Sequence, residues 1–166
     1  MGPDFFLDSR WAPNDKHYGA GAFVYGSLVA SAIALVLAVP ISLSIALFTT
    51  QVLPARLRRP VIYLVDLLAV VPSVVFGLWG ALVFQKHVTG FYGALHDSVG
   101  RIPLVGGLFG PVSSGRSFMT AGIILAVMIT PIITSLAREV IDTTPASDRE
   151  AAYALGATRW EMIRGA

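Results

Sequence analysis

A chain of 166 residues that is 55% hydrophobic and only 13% charged lacks the composition of a water-soluble domain, in which about a quarter of residues carry charge. A net charge of +2 is too small to recruit nucleic acid, and the absence of cysteine excludes disulfides and thiolate metal sites. The mean hydropathy of +0.70 points to a lipid bilayer.

Residues 1–21 form a polar head, MGPDFFLDSRWAPNDKHYGAG, without the basic and apolar pattern of a cleavable signal. The first apolar run, 22–50, exceeds the roughly 20 residues that a helix needs to cross hydrocarbon. Within it Gly26, Ala30, Ala34, Ala38, Ser42 and Ala46 recur at every fourth position. Such a ridge of small side chains lets another helix backbone come close in lipid. Pro40 lies near the middle of the run and predicts a kink.

A link at 51–60, QVLPARLRRP, carries Arg56, Arg58 and Arg59. The second apolar run, 61–84, holds Asp66 near its start and Pro72 near its centre. The connection 85–117 is rich in glycine and proline and includes the apolar patch IPLVGGLFG, which suits either a re-entrant element or a docking surface. The third run, 118–141, has Pro131 in its middle and Arg138 and Glu139 towards its far end.

Three mid-span prolines fit two readings. They are plain kinks whose freed carbonyls neighbouring helices satisfy, or they bend helices that line a pathway opening alternately to its two sides. Ionisable residues within spans are costly. Asp66, Arg138 and Glu139 either snorkel to the interface or mark the pathway, with Asp66 and Arg138 paired at similar depth beside a cavity for an anion. The basic link, together with Arg138, Arg149, Arg159 and Arg164 at and beyond the third run, assigns 51–60 and 142–166 to the cytoplasm. The head and 85–117 then face outward. An outer N-terminus without a signal predicts a preceding span, and the helical pattern at the other end predicts a continuation. The chain is therefore expected to be part of a longer protein.

In 142–166, Thr144 and Pro145 read as an N-cap followed by proline at the first helical position. That helix runs to about Leu155, and Gly156 supplies a left-handed stop. Thr158 and Glu161 have capping-box spacing and open a second helix. Ala151, Ala152 and Leu155 give the first helix a small apolar face, and Trp160 and Ile163 give one to the second. Such a pair suits a groove on a soluble partner. No GxxxxGK[ST] phosphate loop occurs, and His17, His87 and His96 lack metal-ligand spacing.

The stretch EAAYALG at 150–156 resembles the EAA-x-x-x-G signature of ABC importer permeases. In that family the loop docks onto ATP-binding subunits and carries their closure to the membrane helices. The resemblance thus implies an ATPase-coupling role for Glu150, Ala151, Ala152 and Gly156. The runs SLVASAIALVLAVPISLSIALF, DLLAVVPSVVFGLWG, IPLVGGLFG and GIILAVMITPIITSLAREV extend the likeness over nearly the whole chain, to PstC-type permeases of phosphate importers. It implies an all-α membrane protein: three kinked transmembrane helices of a six-helix type I permease core, plus a cytoplasmic coupling helix pair. It also implies a multi-pass subunit of a bacterial cell membrane with no catalysis or cofactor of its own, ATP and Mg2+ being held by a partner ATPase. The implied partners are a homologous second permease, a dimeric ATP-binding subunit, an external phosphate-binding protein and the lipid bilayer, with no nucleic acid. Asp66 departs from the family pattern, where glutamate is expected, and keeps the charge on a shorter arm. Two alternatives stay open: an importer of another oxyanion or solute, and a non-transport membrane anchor or assembly protein.

Overall fold

A backbone segment in an apolar surrounding must satisfy its own N–H and C=O groups, and a helix does so within itself. The computed structural model, which describes residues 4–12, 17–99 and 117–165, is accordingly mostly helical. In chain order, a short α1 (Asp4–Leu7) is followed by β1 (Trp11–Ala12) and β2 (His17–Tyr18), and then by α2 (Gly21–Leu47) and α3 (Ala55–Val70). After these come α4 (Ser73–Trp79), α5 (Gln85–Val99), α6 (Phe118–Asp142), α7 (Ala146–Ala154) and α8 (Arg159–Gly165). The antiparallel two-residue ladder of β1 and β2, pairing Trp11 with Tyr18, is a small departure from the all-α expectation.

Among the described residues two helices are long and apolar enough to cross a membrane. They are α2 with the π turn that follows it, Gly21–Val52, and α6, at mean hydropathies of 2.5 and 2.0. A third span exists if α3 and the helical stretch Ser73–Ala94 count together. The second apolar run is thus not a kinked helix over 61–84. Helix already begins at Ala55, so Arg56, Arg58 and Arg59 sit in its first turns rather than in a link, and Pro60 lies inside it. It ends at Val70, before Pro72, whose ψ of 135° takes the chain out of helical geometry.

The three span prolines therefore behave differently. Pro40 and Pro131 lie inside unbroken helices, and Pro131 is buried. Pro72 is exposed, as are Val70, Val74 and Val75 beside it. Proline both lacks an amide hydrogen and disfavours helical geometry in the residue before it. Pro40 is exposed too, yet its helix continues, so exposure alone does not decide where the chain breaks. The segment 85–117 also departs from a plain connection, because its first 15 residues form α5. The patch IPLVGGLFG at 102–110 lies outside the described residues.

The chain divides into two compact units, 1–39 with 70–129 and 40–69 with 130–166. In the first unit α2 and α6 run in parallel. Phe118 packs over Gly26 and meets Tyr25 edge-to-face at 6.1 Å, and further along Gly122 faces Ile33 and the Ala30 carbonyl. Gly80 gives room to Ile124. Ser117 caps α6, accepting the Thr120 amide at 3.1 Å. The buried Tyr92 of α5 bonds the Thr120 hydroxyl at 3.0 Å.

In the second unit the C-terminal parts of the same helices again run together, and the Ser42 hydroxyl donates to the Thr130 carbonyl at 3.0 Å. Thr134 donates to the same carbonyl at 2.8 Å. Along α2 the small-residue ridge is the buried side: Gly26, Ala34, Ala38, Ser42 and Ala46 are buried and Ala30 half-buried.

A Cβ added at Gly122 would stand 2.6 Å from Ile33 Cγ2 and 3.1 Å from the Ala30 carbonyl oxygen, so a side chain there must push two helices apart. Gly122→Ala is expected to lower stability by about 1–3 kcal/mol. Gly77→Ala, whose Cβ meets nothing within 4 Å, should be neutral or stabilising by up to about 1 kcal/mol. Thermal denaturation of both variants in detergent checks the contrast.

Candidate functional site

The residues that the sequence singles out for coupling lie on α7, in the second unit. Pro145, with φ −57° and ψ 141°, takes the cap position itself, so the helix starts one residue later than expected. Thr144 does not cap. Its carbonyl accepts a 2.9 Å bond from the Arg149 guanidinium instead. Asp148 in the first turn complements the positive end of the helix.

The other end of α7 closes as a Schellman motif. Gly156 has φ +82°, its amide donates to the Tyr153 carbonyl at 2.9 Å, and the Ala157 amide donates to the Ala152 carbonyl at 3.1 Å. No atom lies within 4 Å of a Cβ built there, so the backbone conformation alone demands glycine. Two residues on, α8 opens with the capping box. Glu161 accepts the Thr158 amide at 2.8 Å and the Thr158 hydroxyl at 2.7 Å, while its own amide donates to that hydroxyl at 3.3 Å. These bonds, the backbone one foremost, hold the Glu161 carboxyl below its ordinary pKa of 4.5.

Glu150, Ala151 and Gly156 are exposed and Ala152 is half-buried. Beside them Leu155 is 89% exposed and Trp160 65% exposed. Trp160 and Ile163 do not share one face as the sequence suggested. Ile163 turns with Met162 towards Leu47, Val140 and Ile141, around a cavity of about 200 Å³ that Arg149 also borders. Met162, only 4% exposed, is the anchor that sequence reasoning missed. A seven-residue helix with apolar side chains on both sides has too little periodicity to say which side is inward.

The charges near the far end of the third run come together with α3. Arg138 Nη2 lies 3.3 Å from Asp66 Oδ1, and Ser135 donates to that oxygen at 2.7 Å. Arg138 Nη2 is also 3.3 Å from the Ser135 hydroxyl. Glu139 stays exposed and outside the cluster. In a second pair, Arg58 Nη2 donates to both carboxylate oxygens of Asp142, at 2.7 and 2.8 Å. Neither Ser135 nor the Arg58–Asp142 pair was anticipated, because Arg58 reads from sequence as a topology marker. In water such part-exposed pairs contribute about 0–1 kcal/mol each. In a bilayer an unpaired member is far costlier, so the pairing matters more. Among the described residues no three His, Asp or Glu side chains gather as a metal site.

Apolar spans that lead straight into a locally capped helix pair are the build of a membrane-embedded transport component. The chain belongs to the family of binding-protein-dependent transport system inner membrane components, whose sequence profile matches residues 38–165. It is 43% identical over 163 residues to the phosphate transport system permease protein PstC of Xylella fastidiosa, covering 98% of this chain and 50% of that one. It is 40% identical to PstC of Haemophilus influenzae, covering 99% and 52%, and 41% identical to PstC 2 of Mycobacterium tuberculosis, covering 97% and 51%. The chain spans about half the length of the curated relatives it matches. No solved structure matches it.

The capping box makes a pH response at α8 predictable. A carboxyl whose folded pKa is depressed contributes stability that is present above its unfolded pKa and is lost as pH falls through the folded value. Acidification below about 4.5 should therefore loosen the first turn of α8. Carbon chemical shifts from Thr158 to Met162 should move towards coil values, and Glu161→Gln should abolish that titration.

Proposed function

We propose that this chain is part of a permease subunit of an ATP-driven phosphate importer, and that α7 is the element on which its ATPase acts. The observation that carries the reading is the EAA signature on a helix stopped by Gly156 and followed at once by a second capped helix. Leu155 and Trp160 project from this pair, which directly follows an apolar span. Phosphate as the solute is drawn from the relatives, each a phosphate transport permease by name. The partners are a homologous second permease, a dimeric ATP-binding subunit and an external phosphate-binding protein, in a bacterial cell membrane.

In this reading the chain does no chemistry. ATP and Mg2+ belong to the partner ATPase. Glu150 sits at the edge of the dock, Ala151 and Ala152 provide a smooth surface that fits a groove, and Gly156 sets the turn between the helices. Closure of the ATPase displaces α7, and α6 carries the displacement into the membrane. The arginines of the first turns of α3 and those at and beyond the end of α6 support a cytoplasmic side for this assembly in this reading. Of the three charges considered for a pathway, Asp66 and Arg138 pair with each other and Glu139 is left exposed.

The test uses the full-length permease in its complex, reconstituted in proteoliposomes. Gly156→Val strains the left-handed turn and Glu150→Ala removes an edge charge. Both should lower phosphate uptake and phosphate-stimulated ATP hydrolysis together, by about fivefold or more. Ala151→Cys should cross-link to the ATPase, and Ser147→Cys should label from the cytoplasmic side and Ser9→Cys from outside. Normal uptake in both variants with no cross-link, or uptake of sulfate in preference to phosphate, overturns the proposal.

A further inference from the structure

No residue of α3 is fully buried, and its inward side, with Val61, Ile62, Val65 and Ala69, is half-buried. Its outward side, with Tyr63, Leu64, Leu67 and Leu68 exposed, is apolar. The side-chain bonds of α3 to α6 all involve charged groups. Arg58 reaches Asp142, and eight residues on Asp66 reaches Ser135 and Arg138. The two helices run antiparallel along this line, and the signs are crossed: α3 presents positive then negative, and α6 meets it with negative then positive.

The crossing has two physical consequences. First, it sets register. A slide of α3 that brought Arg58 alongside Arg138 would set like charges against each other, so that alignment is opposed. Second, it corrects two unfavourable end charges. Arg58 is in the first turn of α3, at the positive end of the helix dipole, and Asp142 is the last residue of α6, at the negative end. Each is relieved by the other. The inner rung has three members, with Ser135 donating to Asp66 while standing 3.3 Å from Arg138 Nη2, and Arg138 is only 15% exposed there. Beyond the outer rung, Arg149 of α7 donates to the Thr144 carbonyl in the short link that follows α6.

We propose that these two rungs form a clamp that makes α3 follow α6, so that a displacement delivered to α7 moves two membrane helices instead of one. Arg58, Asp66, Ser135 and Asp142 are then positioning residues for coupling and make no contact with the solute. The inference rests on the coupling reading above, but the clamp itself has an independent readout.

In the full-length complex, phosphate moved per ATP hydrolysed is compared for wild type, Arg58→Asp, Asp142→Arg, the charge-exchanged double variant, and the milder Ser135→Ala and Asp66→Asn. The single variants should lower that ratio by about fivefold or more while basal ATP hydrolysis and assembly persist, and the double variant should restore most of it. A structural role alone would alter assembly and leave the ratio intact. Should the charge reversals fail to assemble, Ser135→Ala and Asp66→Asn decide in the same way. An unchanged ratio in the assembled single variants, or a double variant no better than either single, overturns the clamp. Spin labels at the exposed Leu64 and Leu136 of full-length protein give the second readout. Their distance distribution should broaden in Arg58→Asp and narrow again on charge exchange, and equal widths throughout overturn the clamp. If the wild-type complex shows no ATP-driven phosphate uptake, the proposed function fails, and the label distances still judge the clamp alone.

Discussion

Close approach of α2 to its neighbours is the contact on which the rest of the structure depends. Lipid tails give two apolar helices no hydrophobic reason to associate, so they hold together by packing and by polar bonds between them. Both require short distance, and small side chains along α2 permit it. Where Ser42 and Thr130 meet, the approach is near enough for a hydroxyl on one helix to reach a backbone carbonyl of the other. Pro131 next to that carbonyl is buried, and the helix continues through it. At Pro72 the helix breaks.

Much of this organisation was legible because it repeats or is local. A four-residue spacing of small side chains is a period that one helix imposes on itself, and α2 buries that side. The glycine stop at Gly156 and the box at Thr158 and Glu161 depend on residues at most five apart, so their geometry follows from the residues themselves. The starts and breaks of α3 were not legible. Arginine and proline in 51–60 suggest a turn by composition, yet helix begins at Ala55 because the sequence cannot show what the first turn of α3 lies beside.

The candidate site divides along the same line. Sequence depth and sign brought Asp66 and Arg138 together, but Ser135 was invisible because a serine in an apolar run carries no signal of its partner. Arg58 and Asp142 were hidden by a different cause, since each has a sufficient explanation alone, one as a topology marker and the other as a helix-end residue. Only the antiparallel course of α3 and α6 makes them a pair. Met162 remained unassigned because α8 is too short for its apolar side chains to define a phase.

The joint between α7 and α8 has a consequence for recognition. The amides of residues 155–158 all find acceptors within α7 or the capping box of α8, so the bend does not wait for a partner to define it. Fixing one residue's backbone costs about 1–2 kcal/mol of conformational entropy, and a floppy joint would surrender that much several times over on association. An elbow that is already set surrenders little. In any association that covers the exposed Leu155 and Trp160, ordering of the joint would offset less of the gain from their burial.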